Sequence, residues 1–134
     1  MAQATPALYM MKQYTFLFYL LFLLILLPPT VSATIALTAL FTQVGDETIT
    51  VVWETESEVQ TSGYNVYRTE EDVDEFALIV EKLRVNDRPI APLGELGGRY
   101  AVIDETVAVN ITYYYWLEDI DTQGNKAYNG PVSG

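Results

Sequence analysis

The chain contains no cysteine and no histidine. Without cysteine there is neither a disulfide nor a thiolate nucleophile, so an apolar core must hold the fold by itself. Without histidine the commonest general base and the commonest metal ligand are missing. A Ser–His–Asp triad is therefore excluded, and none of Ser57, Ser62 and Ser133 lies in a G-x-S-x-G elbow. No glycine-rich phosphate loop occurs. Bases are scarce too: seven Lys and Arg stand against eighteen Asp and Glu, a net charge of −11. Such a surface repels nucleic acid and anionic lipid head groups, which removes both as expected partners.

Long hydrophobic runs are confined to one place. Residues Tyr14 to Leu27 (YTFLFYLLFLLILL) are apolar without a break, Lys12 is the sole charge before Asp46, and Pro28-Pro29 ends the run. Small residues follow at Val31 and Ala33. A charged start, an apolar centre of about 7–15 residues and a small-residue exit predict a secretory signal peptide over residues 1–33, cut after Ala33. The alternative is an uncleaved membrane anchor. A spanning helix needs about 20 apolar residues; the prolines interrupt this one after 14, and the apolar Ile35–Phe41 stretch keeps the anchor open. Cleavage would leave residues 34–134, with six bases against eighteen acids and a net charge of −12. The expected location is secreted or on the extracytoplasmic cell surface. Membrane contact is expected only through the N-terminal segment, if it is retained.

Along residues 34–134 the dominant signal is alternation with period two. TIALTALF (34–41) reads as a first strand with Ile35, Leu37 and Ala39 on one face. TITVVWET (48–55) puts Ile49, Val51 and Trp53 on one face. GYNVYRT (63–69) pairs Tyr64 with Val66, and Asn65 with Tyr67 on the other side. RYAVI (99–103), the stretch Ile111–Ile120 as the longest strand, and Lys126–Val132 complete the set. Between Glu70 and Gly98 the pattern breaks. Val73, Phe76, Ala77, Val80 and Leu83 recur at helical spacing, so a short helix over 73–83 or a strand over Phe76–Val80 is expected, with a small edge strand at Leu83–Val85. Pro89 and Pro92 exclude a central strand across 88–93. Short strands separated by turn signals predict an all-β, seven-stranded antiparallel two-sheet sandwich.

Trp53, then Gly63-Tyr64-Asn65-Val66-Tyr67-Arg68, then Thr112-Tyr113-Tyr114-Tyr115 with Leu117, resemble a fibronectin type III domain, of the variety found in bacterial exported and surface proteins. The resemblance covers residues 34–134, and the stretch Asp72–Arg84 departs from it by its length. It implies an immunoglobulin-like sandwich with Trp53 between the sheets, Tyr113 as the corner tyrosine bonded to nearby backbone, and Val107 plugging one end. It implies no catalytic residues and no cofactor.

Three groups of residues invite chemistry. Glu54, Glu56 and Glu58, with Glu47 nearby, could supply paired carboxylates for glycoside hydrolysis, but read more simply as a solvated row at a strand end. Glu70, Glu71, Asp72, Asp74 and Glu75, or the run Asp119-Ile120-Asp121-Thr122-Gln123-Gly124, could offer oxygen ligands to calcium. Neither completes an EF-hand loop, and no metal is expected. Asn110-Ile111-Thr112 is a formal glycosylation sequon. The aromatics of NITYYYWLED (110–119) divide by face: Tyr113, Tyr115 and Leu117 inward, Tyr114 and Trp116 outward. In the resembled topology Tyr67, Tyr114, Trp116 and Tyr128 share one outer sheet face, a candidate contact for protein or carbohydrate at the cell surface. A flanking segment covering that face is the competing reading. The expectation is a non-catalytic binding or adhesion module, not an enzyme, with a ligand-free structural spacer as the alternative.

Overall fold

A computed structural model describes residues 35–134; the expected signal or anchor segment lies outside the described residues. The elements are β1 (Leu37–Val44), β2 (Ile49–Thr55), β3 (Thr61–Thr69), a 3-10 turn at Phe76–Leu78, β4 (Leu83–Arg84), β5 (Arg99–Asp104), β6 (Tyr114–Asp121) and β7 (Lys126–Ser133). All pairings are antiparallel. They build a three-stranded sheet in the order β1-β2-β5 and a four-stranded sheet in the order β4-β3-β6-β7. The domain is all-β, with seven strands in two antiparallel sheets and almost no helix. Among the described residues no helix is long and apolar enough to cross a membrane.

Alternation explains how the sheets meet. Ile49, Val51 and Trp53 of β2, Tyr64 and Val66 of β3, Tyr100 of β5, and Tyr115 and Leu117 of β6 are buried in one apolar cluster between the sheets. Trp53 is its centre: its ring stacks on Tyr100 at 5.0 Å and meets the edge of Tyr64 at 5.6 Å. Tyr113 is buried in the same cluster, with Val107 packed against it. The Tyr113 hydroxyl accepts the N–H of Ala108.

Three expectations change. β1 starts at Leu37 rather than Thr34, and a bulge between Leu37 and Ala39 shifts its phase, so Leu40 rather than Ala39 packs on the core beside Leu37. A bulge adds one residue to a strand and reverses the faces beyond it. β6 starts at Tyr114 rather than Ile111, because Asn110 turns the chain with φ 65°; the nine-residue β3 is the longest strand. The helix expected at 73–83 shrinks to the single 3-10 turn, flanked on both sides by extended residues. An isolated helix shorter than about 12 residues is marginal. Here Phe76 and Ile79 are buried and Val73 only partly so, which is too little to hold a longer stripe. The edge strand expected at Leu83–Val85 forms at Leu83–Arg84.

Candidate functional site

The face expected to carry contacts is the outer side of the four-stranded sheet. Tyr67 of β3 lies directly across from Trp116 of β6, and Tyr128 of β7 lies across from Glu118. The segment 70–82, between β3 and β4, passes over this face and places Phe76 on it. The Phe76 ring stacks on Tyr128 at 3.9 Å and meets Tyr67 at 5.2 Å and Trp116 at 5.7 Å. Lys82 Nζ lies 4.2 Å from the centre of the Phe76 ring. Ile79 is buried in the same small cluster, with Val73 against it. Trp116 does point away from the main core, but it is only 3% exposed, and among the described residues its indole N–H has no partner. Tyr114 stands apart, half-buried, its hydroxyl pKa raised by partial burial and by the charge and hydrogen bond of Asp72.

The structure therefore brings Tyr67, Trp116 and Tyr128 together, leaves Tyr114 beside them, and fills their centre from within the chain. Phe76 is the residue that sequence reasoning missed as a member of this group. The available signal was an apolar pair, Phe76 and Ile79, in a segment otherwise rich in acids. Beneath the cluster Glu118 is buried and satisfied. It accepts Asn65 Nδ2 at 2.7 Å, Tyr128 OH at 2.8 Å and Lys126 Nζ at 3.1 Å. Burial raises its pKa, and these donors lower it further than burial raises it. Tyr128 is thus held twice, by Phe76 on its face and by Glu118 on its hydroxyl, whose pKa burial and the carboxylate push upward. Phe76 covers one face of the Tyr128 ring, and Tyr128 remains 38% exposed.

The covering segment presents other groups outward. Leu78 is 62% and Val80 85% exposed, with Leu83 exposed beside them. The same segment carries Glu70, Glu71, Asp72, Asp74, Glu75 and Glu81. A polar cleft of about 330 Å³ runs along the root of the segment, lined by Arg68, Glu70, Glu81 and Lys82 among others.

The expected row of solvated glutamates is only half right. Glu56 is exposed and Glu54 pairs with Arg99 at 2.8 Å. Glu58 instead turns inward and is 4% exposed. Its Oε1 accepts the hydroxyls of Thr55 (2.8 Å), Tyr64 (2.9 Å) and Tyr100. Its Oε2 accepts the N–H groups of Leu93 (3.1 Å) and Gly94 (3.4 Å). Burial opposes its charge, but the donors, Tyr100 foremost, hold its pKa below the ordinary value. Burial and this carboxylate push the Tyr100 hydroxyl up to about 12. The carboxylate is a clasp tying the loop before β5 to β2 and β3, and its acceptor positions are taken.

The calcium readings find other uses for their carboxylates. Asp121 Oδ1 accepts the N–H groups of Gln123 and Asn125, both at 2.8 Å, so it shapes the turn into β7. Among the described residues no three acidic side chains converge to hold a metal. Asn110 of the sequon is exposed in the turn before β6.

No protein-family model matches the chain, and no curated protein matches it. Among solved structures, the chain is similar to pectate lyase PelI from Erwinia chrysanthemi in complex with tetragalacturonic acid. The TM-score is 0.54 at 15% identity, over 71% of this chain and 27% of that one. It is also similar to pectate lyase Pel3 from Pectobacterium carotovorum, with a TM-score of 0.50 at 15% identity, over 70% of this chain and 25% of that one. The chain thus spans about a quarter of the length of each lyase, and at this identity the likeness concerns the fold. It nevertheless corrects the expectation that the chain is not an enzyme, since both neighbours are enzymes. That expectation rested on the missing histidine and cysteine, and carboxylates, tyrosines and lysines also serve as acids and bases.

Proposed function

We propose that the domain is an exported binding module of the fibronectin type III kind. It contacts a protein partner through the outer surface of the segment that covers the four-stranded sheet. The carrying observation is Phe76 seated among Tyr67, Trp116 and Tyr128. With Phe76 seated on that face and Trp116 buried, the covering segment itself offers a partner Leu78 and Val80, exposed at 62% and 85%, in a stretch that carries six acids. Exposed apolar groups rimmed by charge fit a protein contact, and the partner that matches them carries an apolar centre with a basic rim.

Support for the fibronectin type III kind is that the third, sixth and seventh strands share a sheet and that the Tyr113 hydroxyl takes a nearby backbone N–H. Support for export is the apolar run of residues 14–27 with its small-residue exit. The lyase likeness makes a polysaccharide the second ligand class to test. Against an acidic one such as tetragalacturonic acid stands a net charge of −11.

The test compares the exported protein with its Leu78→Asp/Val80→Asp variant, using a photo-crosslinking residue at position 83 in both. The proposal expects a discrete protein adduct that the double variant loses while its unfolding midpoint is unchanged. Equal crosslinking by both would overturn it. So would wild-type binding to neutral or acidic oligosaccharides that disappears in Tyr128→Ala.

A further inference from the structure

Four of the five buried acids in the β-sandwich have their acceptor atoms met. Glu58 has five donors. Asp104 has Arg68, Thr106 and Tyr115, Glu118 has Asn65, Lys126 and Tyr128, and Asp121 has the turn that follows it. Asp119 is the exception. It is 3% exposed, and among the described residues its Oδ1 has no partner. Its Oδ2 receives one long contact, the backbone N–H of Ile35 at 3.4 Å. Among the described residues no Lys or Arg pairs with it, and Asp121 adds a like charge nearby. Burial of a carboxylate without a counter-charge is costly. Its pKa accordingly lies above the ordinary value, first through burial.

The one donor it has is the informative feature. Ile35 lies two residues ahead of β1 and is itself buried. The cleavage site expected from Val31 and Ala33 falls between Ala33 and Thr34. Cleavage there creates an α-ammonium one residue away from the N–H that already faces Asp119, within about 3.8 Å of chain. An α-amine with an ordinary pKa of about 7.7–8.0 is largely cationic at neutral pH and brings three donors.

We infer that Asp119 is the receptor for the N-terminal α-ammonium of the processed chain, so that cleavage completes an ion pair inside the sandwich. This inference rests on the export reading given above. Hydrolysis of the Ala33–Thr34 peptide bond consumes one water and leaves a carboxylate on the leader and the ammonium on Thr34. The uncut chain keeps an amide there, which has no charge to offer and one donor at most. Leader removal and stability of the sandwich are thereby coupled.

The test expresses the full chain in an exporting host, reads the N-terminus of the exported product by mass spectrometry, and compares wild type with Asp119→Asn. Two quantities are measured on each: the rate of α-amine acylation against pH, and the unfolding midpoint before and after that amine is blocked. The inference expects a chain beginning at Thr34 whose α-amine pKa exceeds that of Asp119→Asn by at least one unit, a tenfold change in its protonation equilibrium. It also expects blocking to lower the midpoint in wild type and not in the variant. A chain beginning at Thr34 with equal amine pKa values overturns the inference and leaves the export reading standing. An exported product that keeps its leader overturns the inference and leaves the export reading standing, whereas a product that is not exported overturns both. If Asp119→Asn does not fold, wild type alone decides, because an unchanged midpoint on blocking overturns the inference.

Discussion

Replacing Glu58 by Gln tests the polar clasp, and the structure sets its size. Glu58 accepts three hydroxyls on one oxygen and two backbone N–H groups on the other. Hydrogen bonds to a charged acceptor contribute about 1.5–3 kcal/mol each, against about 0.5–1.5 kcal/mol for neutral pairs. Glutamine keeps one acceptor oxygen and replaces the other by NH₂. If that NH₂ faces Leu93 and Gly94, the Gly94 N–H loses its acceptor and the Leu93 N–H keeps only the Tyr100 hydroxyl, at 2.7 Å. If it faces the hydroxyls, Tyr64 and Tyr100 must reorient around a donor. Weaker bonds together with unmet buried donors give an expected loss of about 3–5 kcal/mol, a large part of the roughly 5–15 kcal/mol typical of a domain. The assay is urea unfolding of both proteins from pH 7 to pH 3. Because the folded pKa of Glu58 is lowered, its contribution is present above the unfolded value, about 4.3. It is lost as the pH falls through the folded value. The gap between wild type and Glu58→Gln should therefore be widest at pH 7 and narrow steadily below pH 4. A loss under about 0.5 kcal/mol, or a gap that is unchanged at pH 3, would refute this reasoning.

Phe76→Ala should detach the covering segment without unfolding the sandwich, at a cost of about 2–3 kcal/mol. Acrylamide should then quench one of the two tryptophans, Trp116, while Trp53 stays protected. Arg68→Met removes the partner of the buried Asp104 carboxylate at 2.9 Å and should cost about 3 kcal/mol in urea unfolding. Gly97→Ala should destabilise by at least about 1 kcal/mol, because φ is +79° there and a Cβ would meet the Thr55 carbonyl oxygen at 2.2 Å; the unfolding midpoint reads this directly.

Strand identity was readable wherever the alternation was clean. β2, with Ile49, Val51 and Trp53 inward, follows directly from TITVVWET, as does the inward set Tyr113, Tyr115 and Leu117. The bulge in β1 was not readable, since Leu37, Ala39 and Leu40 are all apolar and period two cannot choose between their faces. Glu58 was misread for a related reason: charge suggests solvent, and the donors that make its burial tolerable come from Tyr64, Tyr100 and the 93–94 backbone, distant in sequence. The aromatic face was readable as a grouping of Tyr67, Trp116 and Tyr128. Its filling was not, because Phe76 reaches it through tertiary packing of a segment with no regular structure to announce it. Nothing in the alternation distinguished an outward Trp116 that is open from one that is covered. The missing histidine and cysteine were in plain view but excluded less than expected, since they remove particular mechanisms and leave other acids and bases available.

The central claim is that Phe76 fills the aromatic face of the four-stranded sheet. Proton NMR tests it most directly, through ring-to-ring contacts of Phe76 in the exported wild-type protein. The account predicts strong cross-peaks from Phe76 to Tyr128, whose rings stack at 3.9 Å, and to Trp116 and Tyr67. It also predicts upfield ring-current shifts for the stacked protons. Phe76 resonances at free-chain positions with no cross-peaks to Tyr128 or Trp116 would contradict it, and would return those aromatics to the surface as an open platform.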